Sequence, residues 1–219
     1  MHADSAASRK SYEQICPLAT ALDFVGDRWT ILVLRELLGG PARFQGLKDG
    51  LPGIATNLLT ERLRRLETDG LVRRLDGAGS GLYALTDAGV GIRTAVEELG
   101  MWGVRMANTV GRVAPPVHER SIRAIAMAMQ SILVRAGDAL PAETHLIELD
   151  VDGDHVEIVL GPRPTVTARP SIEPDARVRS TSKAISGFLL GSPSDGIFEH
   201  VSGDPVPTRL LIAALGGAG

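Results

Sequence analysis

The segment from residue 16 to residue 74 constrains the fold of this chain more than any other. It contains apolar patterns with helical spacing, and the breaks Gly39-Gly40-Pro41 and Pro52-Gly53 separate them. Gly and Pro at such positions end helices or form turns. The stretch from Trp29 to Leu38 is apolar on nearly all sides, which is typical of a buried central helix. The segment therefore predicts a small bundle of short helices.

The last helical pattern of this segment carries basic and amide residues on its outward side. Residues 44–51 predict a short scaffold helix, and residues 54–69 predict a second helix after a tight turn. Two short strands follow, residues 71–75 and 82–85, around a Gly-rich hairpin loop. This order is that of a winged helix-turn-helix, which places one helix in a DNA groove. The sequence thus predicts that this half binds double-stranded DNA.

Nine polar side chains are candidate DNA contacts. Near the start of the presented helix, Asn can pair with adenine, Arg with guanine, and Thr can touch a thymine methyl group. Basic residues on the scaffold, helix and wing can meet phosphates or the minor groove. The candidates for base edges are Thr56, Asn57, Thr60 and Arg64, and those for the backbone are Arg43, Lys48, Arg65, Arg73 and Arg74. The alternative is that they form the solvated face of an ordinary helical bundle.

Charge and composition narrow the class of protein. The chain of 219 residues has a net charge of −3, but residues 35–74 hold eight Lys and Arg against five Asp and Glu. The positive excess is modest, so we expect no tight non-specific DNA binding. No apolar run reaches the ~18 residues of a membrane span, and residues 1–14 lack the apolar core of a signal peptide. With one cysteine, we predict a cytoplasmic protein.

A long helix is predicted after the wing. Thr86-Asp87 has the character of an N-cap, and helical spacing continues to about Asn108. Val96, Leu99, Trp102 and Met106 form an apolar stripe along it. Such a stripe packs against another helix, either of the same chain or of a second subunit.

The first half of the chain resembles the HxlR-type family of bacterial winged-helix regulators. The resemblance covers residues 15–105 and rests on motifs that include Cys16-Pro17, GDRWT at Gly26–Thr30, Leu34-Arg35-Glu36, Gly40-Pro41, Leu51–Ile54, Asp69–Val72 and Trp102-Gly103. It implies a homodimer, built from the first helix and the helix after the wing, that binds a near-palindromic operator. The family usually has a more elaborate, Pro-containing strand turn in the wing, where this chain has Gly77–Gly81, so the resemblance implies the fold but leaves the wing contacts open.

Cys16 has two interpretations. Several members of that family carry a redox- or electrophile-sensing thiol at this place, and a thiol near a helix N-terminus reacts more readily. With one cysteine per chain, a switch needs a disulfide between subunits or with a small thiol. The other interpretation is a small, partly buried apolar residue.

The second half predicts a separate α+β domain. The Pro-containing segment 111–117 is the expected linker, and an amphipathic helix follows over residues 118–136. The pattern then changes to alternation, which predicts a hairpin of residues 146–151 and 155–160. Short strands and helices follow to the end. The predicted organisation is a flexible leader 1–14, a winged-helix domain 15–110, the linker 111–117 and a mixed-sheet domain 118–219.

Residues 176–215 resemble the end of a sterol-carrier-protein-like domain. The resemblance rests on a strand, a helix ending in Leu-Leu-Gly, a Gly-Asp-Pro turn and a terminal helix. It implies a mixed sheet, helices on one face and an apolar tunnel for a lipid-like ligand. Candidate tunnel residues are Ile185, Phe188, Leu189, Phe198, Leu211 and Leu215, and each is also explained as an ordinary core residue.

Neither half contains a convincing catalytic or metal-binding pattern. The His residues of the second half lack ligand spacing, and its Ser residues have no base partner in sequence. We therefore predict no enzyme activity and no cofactor. The prediction is a dimeric transcriptional regulator, a repressor, whose second domain senses a hydrophobic small molecule or adds a dimer contact. The alternatives are a lipid or small-ligand carrier that uses its winged helix to bind proteins, and an enzyme that uses the tunnel.

Overall fold

A computed structural model describes residues 11–75, 81–110, 121–189 and 196–216. The predicted fold class is confirmed: an N-terminal winged helix-turn-helix unit precedes a C-terminal unit with a mixed sheet. The wing turn 76–80 and the linker 111–117 lie outside the described residues. Within the described ranges, no helix has both the length and the apolar character that a membrane crossing requires.

The N-terminal unit consists of six helices and a small antiparallel sheet within the described ranges. Its sheet has the order β1-β3-β2. The elements are α1 Pro17–Val25, α2 Thr30–Leu38, β1 Ala42–Arg43, α3 Phe44–Asp49, α4 Thr56–Thr68, β2 Val72–Leu75, β3 Leu82–Leu85, α5 Asp87–Val90 and α6 Arg93–Thr109.

The predicted helical bundle forms around α2. Val33 and Leu34 of α2 are fully buried, and they share a core with Leu47 of α3 and with Leu59 and Leu63 of α4. Burial of this kind stabilises a helix by roughly 1.5–3 kcal/mol per large side chain. The apolar face of α4 is therefore fixed inward, and its opposite face must point to solvent.

Two details of this unit differ from the prediction. The single long helix after the wing is two helices, because Thr86 caps the short α5 by accepting a hydrogen bond from Gly89 N at 3.1 Å, and Gly91 ends it. Gly89 lies so close to β2 that a Cβ there would be 2.1 Å from Leu71 O. The strand β1 was not predicted, since two residues give no measurable alternation.

The C-terminal unit is a five-stranded mixed sheet with helices. Its strand order is β6-β5-β4-β7-β8, and β4 pairs with β7 in parallel while the other pairs are antiparallel. The elements are α7 Ile122–Ala136, a 3₁₀ turn Gly137–Ala139, β4 His145–Val151, β5 Asp154–Leu160, β6 Thr165–Thr167, β7 Ala176–Ser180, α8 Ser182–Leu189, β8 Glu199–Gly203 and α9 Pro205–Gly216.

The predicted hairpin is the centre of this sheet. Asp152 and Gly153 both have positive φ, 55° and 92°, which suits a tight turn between β4 and β5. One face of the sheet packs against α7 and α9. The other face carries ion pairs, such as Glu148 with Arg177 at 3.3 Å. The edge strand β8 was not predicted, because all five of its residues are exposed and show no alternation.

Candidate nucleic-acid interface

The helix α4 presents a polar surface because its apolar side is held in the core. Leu59, Leu63 and Leu66 are at most 1% exposed, which fixes the rotation of the helix. The outward residues Thr56, Asn57, Thr60 and Arg64 are all exposed. The preceding turn depends on Gly53, whose φ of +84° favours glycine, and on Ile54, which is buried.

The heads of Asn57 and Arg64 have no hydrogen bond or ion pair among the described residues. The two Thr hydroxyls differ: Thr60 donates to the backbone oxygen of Thr56 at 2.9 Å, and Thr56 accepts from Lys48 Nζ at 2.6 Å. Asn57 and Arg64 can therefore bind a partner without first breaking an internal contact.

The basic candidates fall into two groups. Arg43 and Arg73 are exposed and have no partner among the described side chains, so their charges are free for phosphate. Arg74 also lies at the surface, but it contacts the Tyr83 ring at 5.0 Å, donates to the Tyr83 hydroxyl at 2.6 Å and pairs with Glu67 at 3.4 Å. Arg74 is held against the wing.

Arg65 contacts its own subunit. Its guanidinium donates to Asp27 Oδ2 at 3.1 Å and to the backbone oxygen of Asp23 at 2.9 Å. Arg62 approaches the same Asp27 at 3.4 Å. These contacts fasten α4 to the end of α1 and the loop before α2. The interaction gives Asp27, part of the Gly26–Thr30 motif, a structural role that the sequence pattern did not suggest.

Exposed apolar side chains lie on α1 and on α6. Leu18 is 67% exposed and Leu22 lies beside it in the same helix, while Leu99 and Trp102 are 49% and 54% exposed on α6. Met106 continues the stripe. We call these five residues the α1/α6 patch. Exposed apolar groups of this number typically mark an interaction site.

Cys16 precedes α1 and is half-buried. It occupies the N-cap position, where it makes no side-chain capping hydrogen bond, and Pro17 is the first helical residue. This position is compatible with both interpretations of the thiol, packing and redox sensing.

The comparisons with known proteins concern this same half of the chain. Residues 24–110 match the family described as HxlR-like helix-turn-helix. The regulator YvaP from Bacillus subtilis is 32% identical over 93 residues, which is 41% of this chain and 86% of YvaP. The chain belongs to the HxlR-like helix-turn-helix family. The HTH-type transcriptional regulator YodB from B. subtilis is 30% identical over 92 residues, or 40% of this chain and 82% of YodB.

Two other matches also cover only part of this chain. A Synechocystis regulator is 50% identical over 60 residues, but that alignment spans 44% of its length and 27% of this chain. The crystal structure of quinone-bound YodB has 31% identity and a TM-score of 0.37, and covers 41% of this chain and 99% of that one. The HxlR-like match ends at residue 110, so the C-terminal unit lies beyond it.

A buried polar cluster connects the HxlR-like unit to the C-terminal unit. Glu36 of α2 is fully buried, and its carboxylate accepts from Arg35 Nη2 at 2.6 Å and from the Ser121 hydroxyl at 2.5 Å. Arg123 donates to the backbone oxygens of Gly40 and of Pro41, the latter at 2.9 Å. Burial lowers the pKa of Arg123 and the neighbouring Glu36 opposes this. Sequence patterns did not predict this cluster, although Glu36 is an acidic residue within the apolar stretch 29–38.

A cavity of about 350 Å³ lies beside this cluster. Its walls come from α2, α6 and α7, with Leu189 of α8 at one side. Glu97 of α6 lines it and is 8% exposed. Its Oε1 has no hydrogen-bond partner among the described residues, and the nearest ion-pair contact is Arg93 Nη1 at 3.9 Å. Burying a carboxylate without a hydrogen-bond partner lowers the stability of the folded protein.

Five of the six candidate tunnel residues lie away from this cavity. Ile185, Phe198, Leu211 and Leu215 are at most 8% exposed and belong to the core of the C-terminal unit, and Phe188 packs against it. Leu189 both packs against this core and lines the cavity. In the described part of the chain, no group of three or more His, Cys, Asp or Glu side chains could hold a metal ion.

The buried carboxyl group of Glu97 should make the stability of the folded protein depend on pH. Burial raises its pKa, Arg93 and Arg135 of α7 lower it, and Glu98 raises it further; Arg35 of α2 lines the same cavity. Because the native pKa exceeds the unfolded value of about 4.3, stability falls as pH rises through the window above that value. We expect Glu97→Gln to unfold at higher temperature than the wild type at pH 7.5, with a smaller difference at pH 4.5.

Thermal unfolding at the two pH values measures this, with Glu98→Gln as the control. Glu98 is 60% exposed and pairs with Arg135, so its substitution removes a surface ion pair without relieving a buried charge. A Glu97→Gln variant that is less stable than the wild type by the same amount at both pH values would contradict the account.

Proposed function

We propose that this protein is a dimeric, sequence-specific DNA-binding regulator of transcription and that it acts as a repressor. The observation that carries the proposal is the outward face of α4, where Asn57 and Arg64 are exposed and unengaged while the opposite face is locked in the core. Membership in a family whose relatives are named HTH-type transcriptional regulators supports it. Asn and Arg are also the side chains best suited to read adenine and guanine in the major groove.

The candidate contacts divide by role in this proposal. Asn57, Arg64, Thr56 and Thr60 face the bases, and Arg43, Lys48, Arg73 and Arg74 contact the sugar–phosphate backbone. We assign Arg65 to the scaffold, because its guanidinium is engaged by Asp27 and by the backbone of Asp23. Substitution of Arg65 would then weaken DNA binding indirectly, because α4 would be held less firmly against the rest of its unit.

We propose that the α1/α6 patch is the dimer interface. Two of its members are more than half exposed, and a patch of this character costs solubility unless it is covered. A twofold axis beside α6 would duplicate α4 and place two half-sites on one DNA face, about one helical turn apart.

The C-terminal unit, over the proposed range 118–219, would sense a hydrophobic small molecule. Support comes from its mixed sheet, its helices on one face and the neighbouring cavity. The sterol-carrier-like character of this unit is part of the proposal, as are the linker 111–117 and the winged-helix bounds 15–110. Relief of repression then requires that the molecule bind one dimer geometry better than the other.

DNA binding is tested with the duplex upstream of the protein's own coding sequence and a shuffled duplex of the same composition. Fluorescence anisotropy at 50 mM and 200 mM salt gives the affinities. We expect a preference for the upstream duplex and a loss of ~10³–10⁵-fold between the two salts, as for about 6–10 phosphate contacts. A carrier that uses its winged helix to bind proteins would show neither, and this result would refute the proposal.

Arg64→Ala should separate base reading from phosphate binding. If Arg64 pairs with a guanine, its loss should cost about 1–3 kcal/mol on the operator and much less on shuffled DNA. The matched control is Arg43→Ala, another exposed and unengaged arginine, which should weaken both duplexes alike. Equal losses on both duplexes for Arg64→Ala would remove it from the base-reading set.

A further inference from the structure

We propose that the cavity between α2, α6 and α7 is a binding site for a small apolar molecule with a hydrogen-bond-donating head group, an amine or a hydroxyl. It differs from the tunnel that the sequence suggested, since it lies between the two units rather than inside the second. Its volume is about 350 Å³. Ligand sites usually span ~300–1,000 Å³, and ~150 Å³ suffices for benzene. The cavity therefore suits a molecule of about two rings.

The walls select an apolar body. They are almost entirely aliphatic or thioether side chains, and the three helices contribute to them from distant parts of the sequence. The principal wall residues are Ile31 and Leu32 of α2, Val96 and Val104 of α6, and Met127 and Ile132 of α7. These apolar side chains provide dispersion contacts for a ligand and offer it no hydrogen bonds.

The head group is selected by Glu97. Its residue surface is 8% exposed, its side chain 10%, and its Oε1 lacks a hydrogen bond among the described residues. Of the other polar side chains on the wall, Ser131 donates to the backbone oxygen of Met127 at 2.9 Å, and Arg35 Nη2 pairs with Glu36. Arg35 Nε is buried and has no hydrogen-bond partner among the described residues, so a hydroxyl on a ligand could also accept from it. A donor on the ligand would satisfy Glu97 Oε1, whereas a carboxylate placed beside it would face a buried acid.

The position of the site connects it to the rest of the molecule. Leu99 lines the cavity and also belongs to the α1/α6 patch, and α2 is the central helix of the DNA-binding unit. A bound molecule that favours one spacing of these helices would change the dimer geometry. This regulatory consequence rests on the proposed function, but the binding itself does not.

The test uses three probes with one ring system: 1-naphthylmethylamine, 1-naphthalenemethanol and 1-naphthoate. Isothermal titration calorimetry on the full-length protein, without DNA, measures each affinity. We expect the amine and the alcohol to bind at least tenfold more tightly than the carboxylate. Glu97→Gln should weaken the amine at least tenfold and narrow its advantage over the carboxylate. No binding by any probe, or equal binding by all three, would overturn the proposal.

Two variants fill the cavity from opposite walls. Apart from its chain neighbours and the backbone of its own helix, no atom of the described chain lies within 4 Å of where a Cβ would sit at Gly100, so Gly100→Leu should fold and occupy the space. Ala128→Met does the same from α7. Both should abolish amine binding, while Ala95→Leu, at an exposed position of α6, should leave it unchanged. Amine affinity that survives in both filled variants would place the binding elsewhere and overturn the proposal.

The two proposals can fail separately. Titration of 1-naphthylmethylamine in the absence of DNA reports on the cavity alone, and anisotropy with upstream and shuffled duplexes reports on α4 alone. A protein that binds the amine but shows no sequence preference would keep the cavity site and lose the regulatory role.

Discussion

Trp102→Asp is expected to convert the protein to a monomer and to lower its affinity for operator DNA by about 100-fold or more. Trp102 belongs to the α1/α6 patch and is 54% exposed, so the single subunit should tolerate the change. In the dimer, the carboxylate would be buried against apolar groups without a partner, which is strongly unfavourable. Once the two recognition helices are uncoupled, the avidity of ~10²–10⁴ that linkage provides is lost.

Sedimentation velocity gives the oligomeric state, and anisotropy with operator DNA gives the affinity. The matched control is Ile172→Asp, which adds the same charge at a position that is 85% exposed outside the patch. It should remain dimeric and bind normally, which separates loss of the interface from repulsion of DNA. A Trp102→Asp protein that stays dimeric, or a monomer that binds like the wild type, would contradict the assignment of the interface.

Glu36→Ala is expected to lower the free energy of unfolding by about 3–5 kcal/mol. Its carboxylate is fully buried and accepts hydrogen bonds from Arg35 and from Ser121, so removing it leaves the Arg35 guanidinium without its close partner. Breaking one side of a buried ion pair costs this much because the remaining charge stays desolvated. Arg35 keeps 21% of its side chain exposed, which favours the lower end of the range.

Glu98→Ala is the control for this prediction. Glu98 also pairs with an arginine, Arg135, but its side chain is 60% exposed and that of Arg135 is 30% exposed. Exposed pairs contribute about 0–1 kcal/mol. Chemical denaturation followed by circular dichroism compares the two variants. If both variants lost a similar free energy of unfolding, the buried Glu36 pair at the junction between the units would contribute no more stability than an exposed ion pair.

The sequence predicted the elements whose signals are local. The apolar stretch 29–38 predicted a buried helix, and α2 is one; the alternation in residues 146–160 predicted a hairpin, and β4 and β5 form it. Where the local signal was weak, the prediction failed. The two residues of β1 and the exposed residues of β8 are fixed by neighbouring strands, Tyr83 and Arg177 among the partners, and not by a pattern of their own.

The outward face of α4 could be predicted because helical periodicity fixes it once Leu59, Leu63 and Leu66 face inward. The sequence could not predict which of the neighbouring basic side chains are free and which are engaged by their own subunit. Arg65 meets Asp23 and Asp27 across some 40 residues, and no spacing rule connects them. This is why a sequence can indicate which helix faces DNA without indicating which arginines are free to bind it.

The junction between the units was beyond the reach of sequence patterns for the same reason. Ser121 and Glu36 are 85 positions apart, and the cavity beside them has walls from three helices separated along the chain. The sequence instead suggested a tunnel among residues such as Ile185 and Leu211, which are core residues of the second unit. The apolar face of a helix is covered whether it packs in a core or lines a ligand site, and periodicity alone does not distinguish the two.

Selection from a random pool of DNA duplexes tests whether α4 of a dimeric protein reads a specific DNA sequence. The purified wild-type protein selects bound duplexes over several rounds, and sequencing shows what was enriched. The account predicts an inverted repeat whose half-sites are centred about 10–10.5 base pairs apart, and loss of that enrichment when Asn57 and Arg64 are both replaced by Ala. Enrichment of no motif, or of the same motif by the double variant, would contradict it.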